Sequence, residues 1–107
     1  MKIENTQGIS NIVIKTKTHN LCPIGKDWYT CNLNIAIAPE KLIPDYIDVD
    51  NYIATVIDKK ELIIEDVVAQ IFEHIKETYH PIYIHITASV DDAAHSAVIV
   101  EKAGDGI

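Results

Sequence analysis

Arginine does not occur in this chain, so all nine basic residues are lysines, set against sixteen Asp and Glu for a net charge of -7. The arginine fork is the side chain that best matches phosphate, and tight polynucleotide binding rests on a concentrated basic surface. Lys15, Lys17 and Lys26 lie near Cys22 in sequence, as a local basic rim or as ordinary solvated lysines. Cysteine is scarce too. Cys22 and Cys31 are the only two, too few and too close for the disulfide framework of a small secreted domain, and free thiols in a reducing compartment are expected. The four glycines are scattered, which excludes a Gly-rich phosphate loop. No apolar run approaches the length of a membrane span, and Met1-Lys2-Ile3-Glu4-Asn5 holds no long apolar stretch. A soluble, cytoplasmic protein without a membrane partner is expected.

What is present suits one compact domain over residues 1–107, with 48% apolar and 23% charged residues. At this length much surface stays unburied after folding, so assembly into a homo-oligomer is expected. Ile12, Ile14, Thr16 and Thr18 alternate with Val13, Lys15 and Lys17, a strand pattern rich in β-branched residues. After the Asn20–Asp27 connection, Tyr29, Cys31, Leu33, Ile35 and Ile37 form one apolar face of a long second strand. Asp48 stands as an N-cap before Val49, Tyr52, Ile53, Val56 and Ile57 at helical spacing, ending near Lys59-Lys60.

From about Glu65 the same stripe returns as Val67, Val68, Ile71, Phe72 and Ile75, stopped by Tyr79-His80-Pro81. His74 falls on the polar side of this helix and is expected to be solvated. Ile82, Ile84, Ile86 and Ala88 predict a third strand and, after the turn at Asp91-Asp92, Val98 and Val100 a fourth. The fold class is therefore α+β, in the order ββααββ: a four-stranded antiparallel sheet with both helices packed on one face.

Two stretches carry chemistry. Thr18-His19-Asn20-Leu21-Cys22-Pro23-Ile24-Gly25-Lys26-Asp27 resembles the Leu-Cys-Pro segment of the nitrile reductase of the queuosine pathway, whose cysteine is followed by an acidic residue. Leu62-Ile63-Ile64-Glu65-Asp66-Val67-Val68 resembles that family's Glu-Asp-Val-Val helix start, whose glutamate anchors the purine or pterin ring across the tunnelling-fold superfamily. Three departures accompany the likeness. The family's acidic residue lies further from its cysteine than Asp27 does from Cys22, so equivalence requires a shortened loop. Ile64 stands where a histidine often precedes the glutamate. The lysine-bearing segment that holds the reductases' nicotinamide cofactor reads Ile43-Pro44-Asp45-Tyr46-Ile47-Asp48-Val49 here, with acids where a cofactor phosphate would need cations.

Cysteine and glutamate kept with the cofactor segment lost resembles the short QueF-like archaeosine synthases. That resemblance implies a ring-forming tunnelling fold, no cofactor, and an amidine-forming transferase. It would turn the nitrile of 7-cyano-7-deazaguanine in tRNA into a formamidine with ammonia. Cys22 would attack the nitrile carbon to give a thioimide, the bond type a thiolate forms best. Asp27 would protonate the nitrile nitrogen and later assist the amine. Glu65, beside Ile64, would take the guanine-like edge through paired hydrogen bonds.

Simpler roles stand beside each of these. A cysteine next to proline in a connection is often an inert small apolar residue, Glu65 and Asp66 favour any helix N-terminus, and Asp27 suits a turn. Cys31, on the apolar strand face, reads as core. The five histidines show no His-x-His, Cys-x-x-Cys or His-Glu-x-x-His spacing, so no metal site is expected. Other functions on the same fold are the NADPH-dependent nitrile reductase and a dihydroneopterin aldolase-like pterin enzyme, disfavoured because Ile86-Thr87-Ala88-Ser89 lacks its lysine. A non-catalytic purine- or pterin-binding subunit is the third.

Overall fold

The computed structural model describes residues 2–107. Its elements are β1 (Ile3–Glu4), β2 (Ile12–Leu21), β3 (Trp28–Ala38), β4 (Leu42–Ile43), α1 (Tyr46–Tyr52), a π-helical turn (Ile53–Ile57), α2 (Ile64–Tyr79), β5 (Tyr83–Val90) and β6 (Val98–Gly104). The main sheet runs β2-β3-β5-β6, antiparallel throughout, so the expected ββααββ order stands. The two-residue strands β1 and β4 pair separately as a small ribbon, too short to give any periodic signal in the sequence.

Alternation along the strands divides the sheet into a covered and an open face. Tyr29, Cys31, Leu33, Ile35 and Ile37 of β3 and Ile84, Ile86, Ala88 and Val90 of β5 point at the helices and are buried. Seven residues of α2 meet them: Ile64, Val67, Val68, Ile71, Phe72, Ile75 and Tyr79. Each such side chain stabilises the fold by about 1.5–3 kcal/mol on full burial, more than intrinsic helix propensity supplies. His80, in the left-handed conformation at φ 48°, ends α2 by donating its N–H to the Lys76 carbonyl, and Pro81 prevents continuation.

The first helix corrects two expectations. Asp45, not Asp48, is its N-cap, accepting from the N–H groups of Ile47 (2.9 Å) and Asp48 (3.3 Å). Asp48 lies inside the helix and instead joins it to α2, accepting from the Tyr79 hydroxyl at 2.5 Å and meeting His74 Nε2 at 3.0 Å. His74 is therefore not freely solvated; it also stacks on Tyr52 with ring centroids 4.0 Å apart. Helical periodicity alone did not separate the two acids, because both precede the apolar stripe.

The π-helical turn positions the later site. Asp58 N–H reaches back to the Ile53 carbonyl at 2.8 Å, and the wide turn buries both Ile53 and Ile57. Asn20, fully buried at the end of β2, donates from its amide to the Ile57 carbonyl at 2.7 Å and the Lys60 carbonyl at 3.1 Å, and accepts from the Thr18 hydroxyl at 2.7 Å. Asn20→Ala strands these buried groups, and each unsatisfied one is costly. An expected loss of about 2–4 kcal/mol is read from the denaturant midpoint at unchanged m-value.

The Asp48 cluster gives a pH test. Its hydrogen bonds, led by that from Tyr79, hold the Asp48 carboxyl below the usual aspartate range. A carboxyl with a depressed folded-state pKa contributes stability above its unfolded pKa and loses it as pH falls through the folded value. Thermal unfolding scans on the acid side of pH 4 should therefore show a steeper loss of Tm in the wild type than in Asp48→Asn.

Candidate active site

β2 and β3 form a hairpin whose connection closes on the cysteine. The ladder ends at the Leu21–Trp28 pair, and the next position out holds Cys22 opposite Asp27, with Cys22 N–H donating to the Asp27 carbonyl at 2.9 Å. Lys26 N–H donates to the Cys22 carbonyl at 2.9 Å, a tight closure for which Lys26 takes a positive φ of 59°. Residues directly opposite in an antiparallel pair project to the same side. Cys22 and Asp27 thus close the hairpin as backbone partners one position beyond the ladder.

Residues 58–62 run alongside the end of β2 and deliver the start of α2 to the same place. Lys59 N–H donates to the His19 carbonyl at 2.7 Å, Leu21 N–H to the Lys60 carbonyl at 3.2 Å, and Leu62 N–H to the Leu21 carbonyl at 3.1 Å, with Leu21 and Glu61 bridged in parallel. Lys26 pairs with Glu61, and the Tyr29 hydroxyl donates to the Leu62 carbonyl. Burial, more than any neighbouring charge, pushes the Tyr29 phenol well above its ordinary range, which keeps it a neutral donor.

Cys22, Asp27, Ile64 and Glu65 all line one cavity of about 700 Å³. Ile24, Tyr29 and Ile63 adjoin them, and the facing wall comes from the β5–β6 connection and β6, including His95, Ser96, Val98 and Ile99. Asp92 pins that connection by accepting from Thr30 N–H at 2.9 Å. Cys22 is half-buried and Ile64 buried, while Asp27 and Glu65 are exposed. Lys15 and Lys17 stand on the open face of the sheet and are not among the lining residues.

Sequence reading missed His95 and Tyr29. The histidine sits in a connection without periodicity, and Tyr29 looked like plain core. His95 Nδ1 lies 2.7 Å from the Ser96 carbonyl, a contact in which Nδ1 must be the donor. Ile63 caps α2 without a side-chain hydrogen bond; Asp66 N–H turns back to the Ile63 carbonyl at 3.1 Å, while Ile64 and Glu65 of the first turn line the cavity.

The two thiols differ in kind. Cys31 is fully buried, and desolvation pushes its thiol up to about 11. Among the described residues no group of three or more His, Cys, Asp or Glu side chains is placed to hold a metal ion, and no helix is long and apolar enough to cross a membrane.

Fold and cavity together define an α+β domain that gathers a thiol and two carboxylates at the junction of a hairpin and a helix start. Among solved structures, the chain is similar to the archaeosine synthase QueF-Like in its apo form, with a TM-score of 0.79 and 19% identity over 92% of this chain and 97% of that one. The two share a fold over nearly their whole lengths. No protein-family model matches the sequence, and no curated protein matches it.

Selective alkylation tests the distinction between the thiols. Burial holds Cys31 as the unreactive thiol and also shields it from reagent. Iodoacetamide should modify Cys22 first and leave Cys31 intact in the folded protein, as read by peptide mass; equal labelling would contradict the assigned burial.

Proposed function

We propose that this protein is an amidine-forming enzyme that adds ammonia to the nitrile of a 7-cyano-7-deazaguanine ring through a covalent Cys22 thioimide. The carrying observation is the meeting of Cys22, Asp27 and Glu65 in one cavity, in a fold shared with an archaeosine synthase.

The thiolate of Cys22 attacks the nitrile carbon, one C–N π bond opens, and the nitrogen takes a proton from Asp27. Ammonia then adds to the thioimide carbon. The C–S bond breaks, the thiolate leaves, and the proton lost by the amine returns to Asp27, leaving an amidine. The sum is nitrile plus ammonia, with no electron transfer and no cofactor. Glu65 accepts hydrogen bonds from the ring N–H and exocyclic amine, and Ile64 supplies an apolar surface beside it.

Assembly completes the cavity in this reading. Ile24 and Ile99 line it yet are 86% and 69% exposed, and apolar walls left open to water are what a second copy would cover. β2 and β6 are the sheet's edges, and edge pairing between copies into a ring would satisfy their free backbone groups.

Intact-protein mass spectrometry after incubation with 7-cyano-7-deazaguanine tests the chemistry. An adduct of the nitrile's mass is expected in wild type and Cys31→Ala and absent in Cys22→Ala. Asp27→Asn should slow amidine formation by about 10²–10⁴-fold. A wild type that binds the ring yet stays unmodified would overturn the covalent mechanism in favour of a binding subunit.

A further inference from the structure

We propose that His95 takes a proton from ammonium in this cavity, so that ammonia is released beside the Cys22 thioimide. The inference rests on the cavity being a nitrile site and adds the base for its second half-reaction.

Most of the ionisable side chains that line the cavity are already accounted for in that reaction. Cys22 is bonded to the substrate, Glu65 takes the ring edge, and Asp27 exchanges its proton with the nitrile nitrogen and the amine. Tyr29 is held neutral by burial, with its hydroxyl donated to the Leu62 carbonyl. His95 lines the same cavity with no task assigned, whereas His19, His74 and His85 have partners outside it.

The wall that carries His95 is fixed at both ends. Thr30 N–H donates to Asp92 at 2.9 Å beside Tyr29, Ala93 packs against the core, and Val98 pairs with Val90 at the start of β6. Between these ties, the ring's own contact settles which nitrogen is basic. Nδ1 donates to the Ser96 carbonyl at 2.7 Å, so in the neutral ring Nε2 carries the free lone pair. Thiol, carboxylates and imidazole all belong to one chain, so a second copy that covers the cavity adds to this set and takes none of it away.

Ammonium is the form of the nitrogen donor that dominates in water at neutral pH, and it has no lone pair with which to attack carbon. Two carboxylates, Asp27 and Glu65, attract such a cation. A base must then remove one proton, and imidazole is the side chain whose ordinary basicity suits transfer near neutral pH. His95 Nε2 takes that proton, leaving ammonia and an imidazolium. Ammonia forms the C–N bond as the C–S bond breaks, and its surplus proton passes to Asp27. The amidine product is a strong base, so it takes the proton back from His95 and leaves as amidinium. Ammonium and nitrile thus give amidinium, with His95 and Asp27 restored and no electron transferred.

Hydroxylamine separates this step from the rest, because it is unprotonated at neutral pH and attacks a thioimide without prior loss of a proton, giving an amidoxime. Wild type and His95→Gln are incubated with 7-cyano-7-deazaguanine as the free base and within tRNA, then mixed with ammonium or hydroxylamine, and adduct and products are followed by mass. Thioimide should form alike in both proteins, which also reports that the variant is folded. His95→Gln should slow ammonium-driven amidine formation by about 10²–10⁴-fold and leave amidoxime formation near the wild-type rate. An unchanged ammonium rate, equal slowing with both amines, or loss of the thioimide in the variant alone overturns the assignment while the nitrile chemistry stands. A wild type that forms no thioimide with either substrate overturns that chemistry, and this inference with it.

Discussion

Everything at the cavity depends on how firmly the end of β2 is held to the segment that begins α2. Asn20 does this from inside the protein: its buried amide reaches two carbonyls on the far side of the π-helical turn, and Thr18 supplies its remaining hydrogen. Around that amide, backbone bonds from Lys59 to the His19 carbonyl, from Leu21 to Lys60 and from Leu62 to Leu21 continue the contact outward. A buried amide with every group satisfied fixes geometry more narrowly than apolar packing, because a slip leaves polar atoms unpaired in a low-dielectric interior. Cys22 lies two residues beyond Asn20 and Glu65 three beyond Leu62, so this one network sets the spacing between thiol and carboxylate.

The open face of the sheet is the second constraint. β3 and β5 bury one side completely beneath α2, while the other face mixes Asn32, Asn34, Thr87 and Ser89 with the exposed apolar side chains of Val13, Trp28, Tyr83 and Ile99. His85 meets Glu101 there at 2.9 Å, and His19 Nδ1 meets Thr30 at 3.1 Å. His19, His74 and His85 are thus each occupied by a local partner, His95 stands in the cavity wall, and His80 is exposed at the end of α2.

Much of this was legible in the sequence because period and chemistry agreed. The buried faces of β3, β5 and α2 follow the alternation and the helical stripe residue by residue, and the Cys22 and Glu65 stretches stood out by resemblance. What escaped notice lacked a local signal. The β1–β4 ribbon is two residues per strand, the π-helical turn keeps helical spacing while widening the backbone, and Asp45 and Asp48 are the same residue type three positions apart. Asn20 sits in a strand that alternation alone extends only to Thr18, and its role appears only once the partner carbonyls some forty positions later are in place. Long-range hydrogen bonds of this kind have no period to detect.

The start of α2 joins these lines. A helix with no capping side chain departs from the usual preference for Ser, Thr, Asp or Asn at that position, and Ile63 is the residue that departs. Departures from local rules gather where function competes with stability. A capping side chain here would occupy the first-turn N–H groups and place a polar atom in the apolar wall beside Ile64. Its absence costs the helix some stability, which the seven buried residues of α2 offset through packing. Glu65 and Asp66 meanwhile complement the positive end of the helix, so the carboxylate proposed to recognise the ring also stabilises the element that carries it. That proposed role and folding therefore do not compete for Glu65, whereas Ile63 leaves the helix start without a capping side chain.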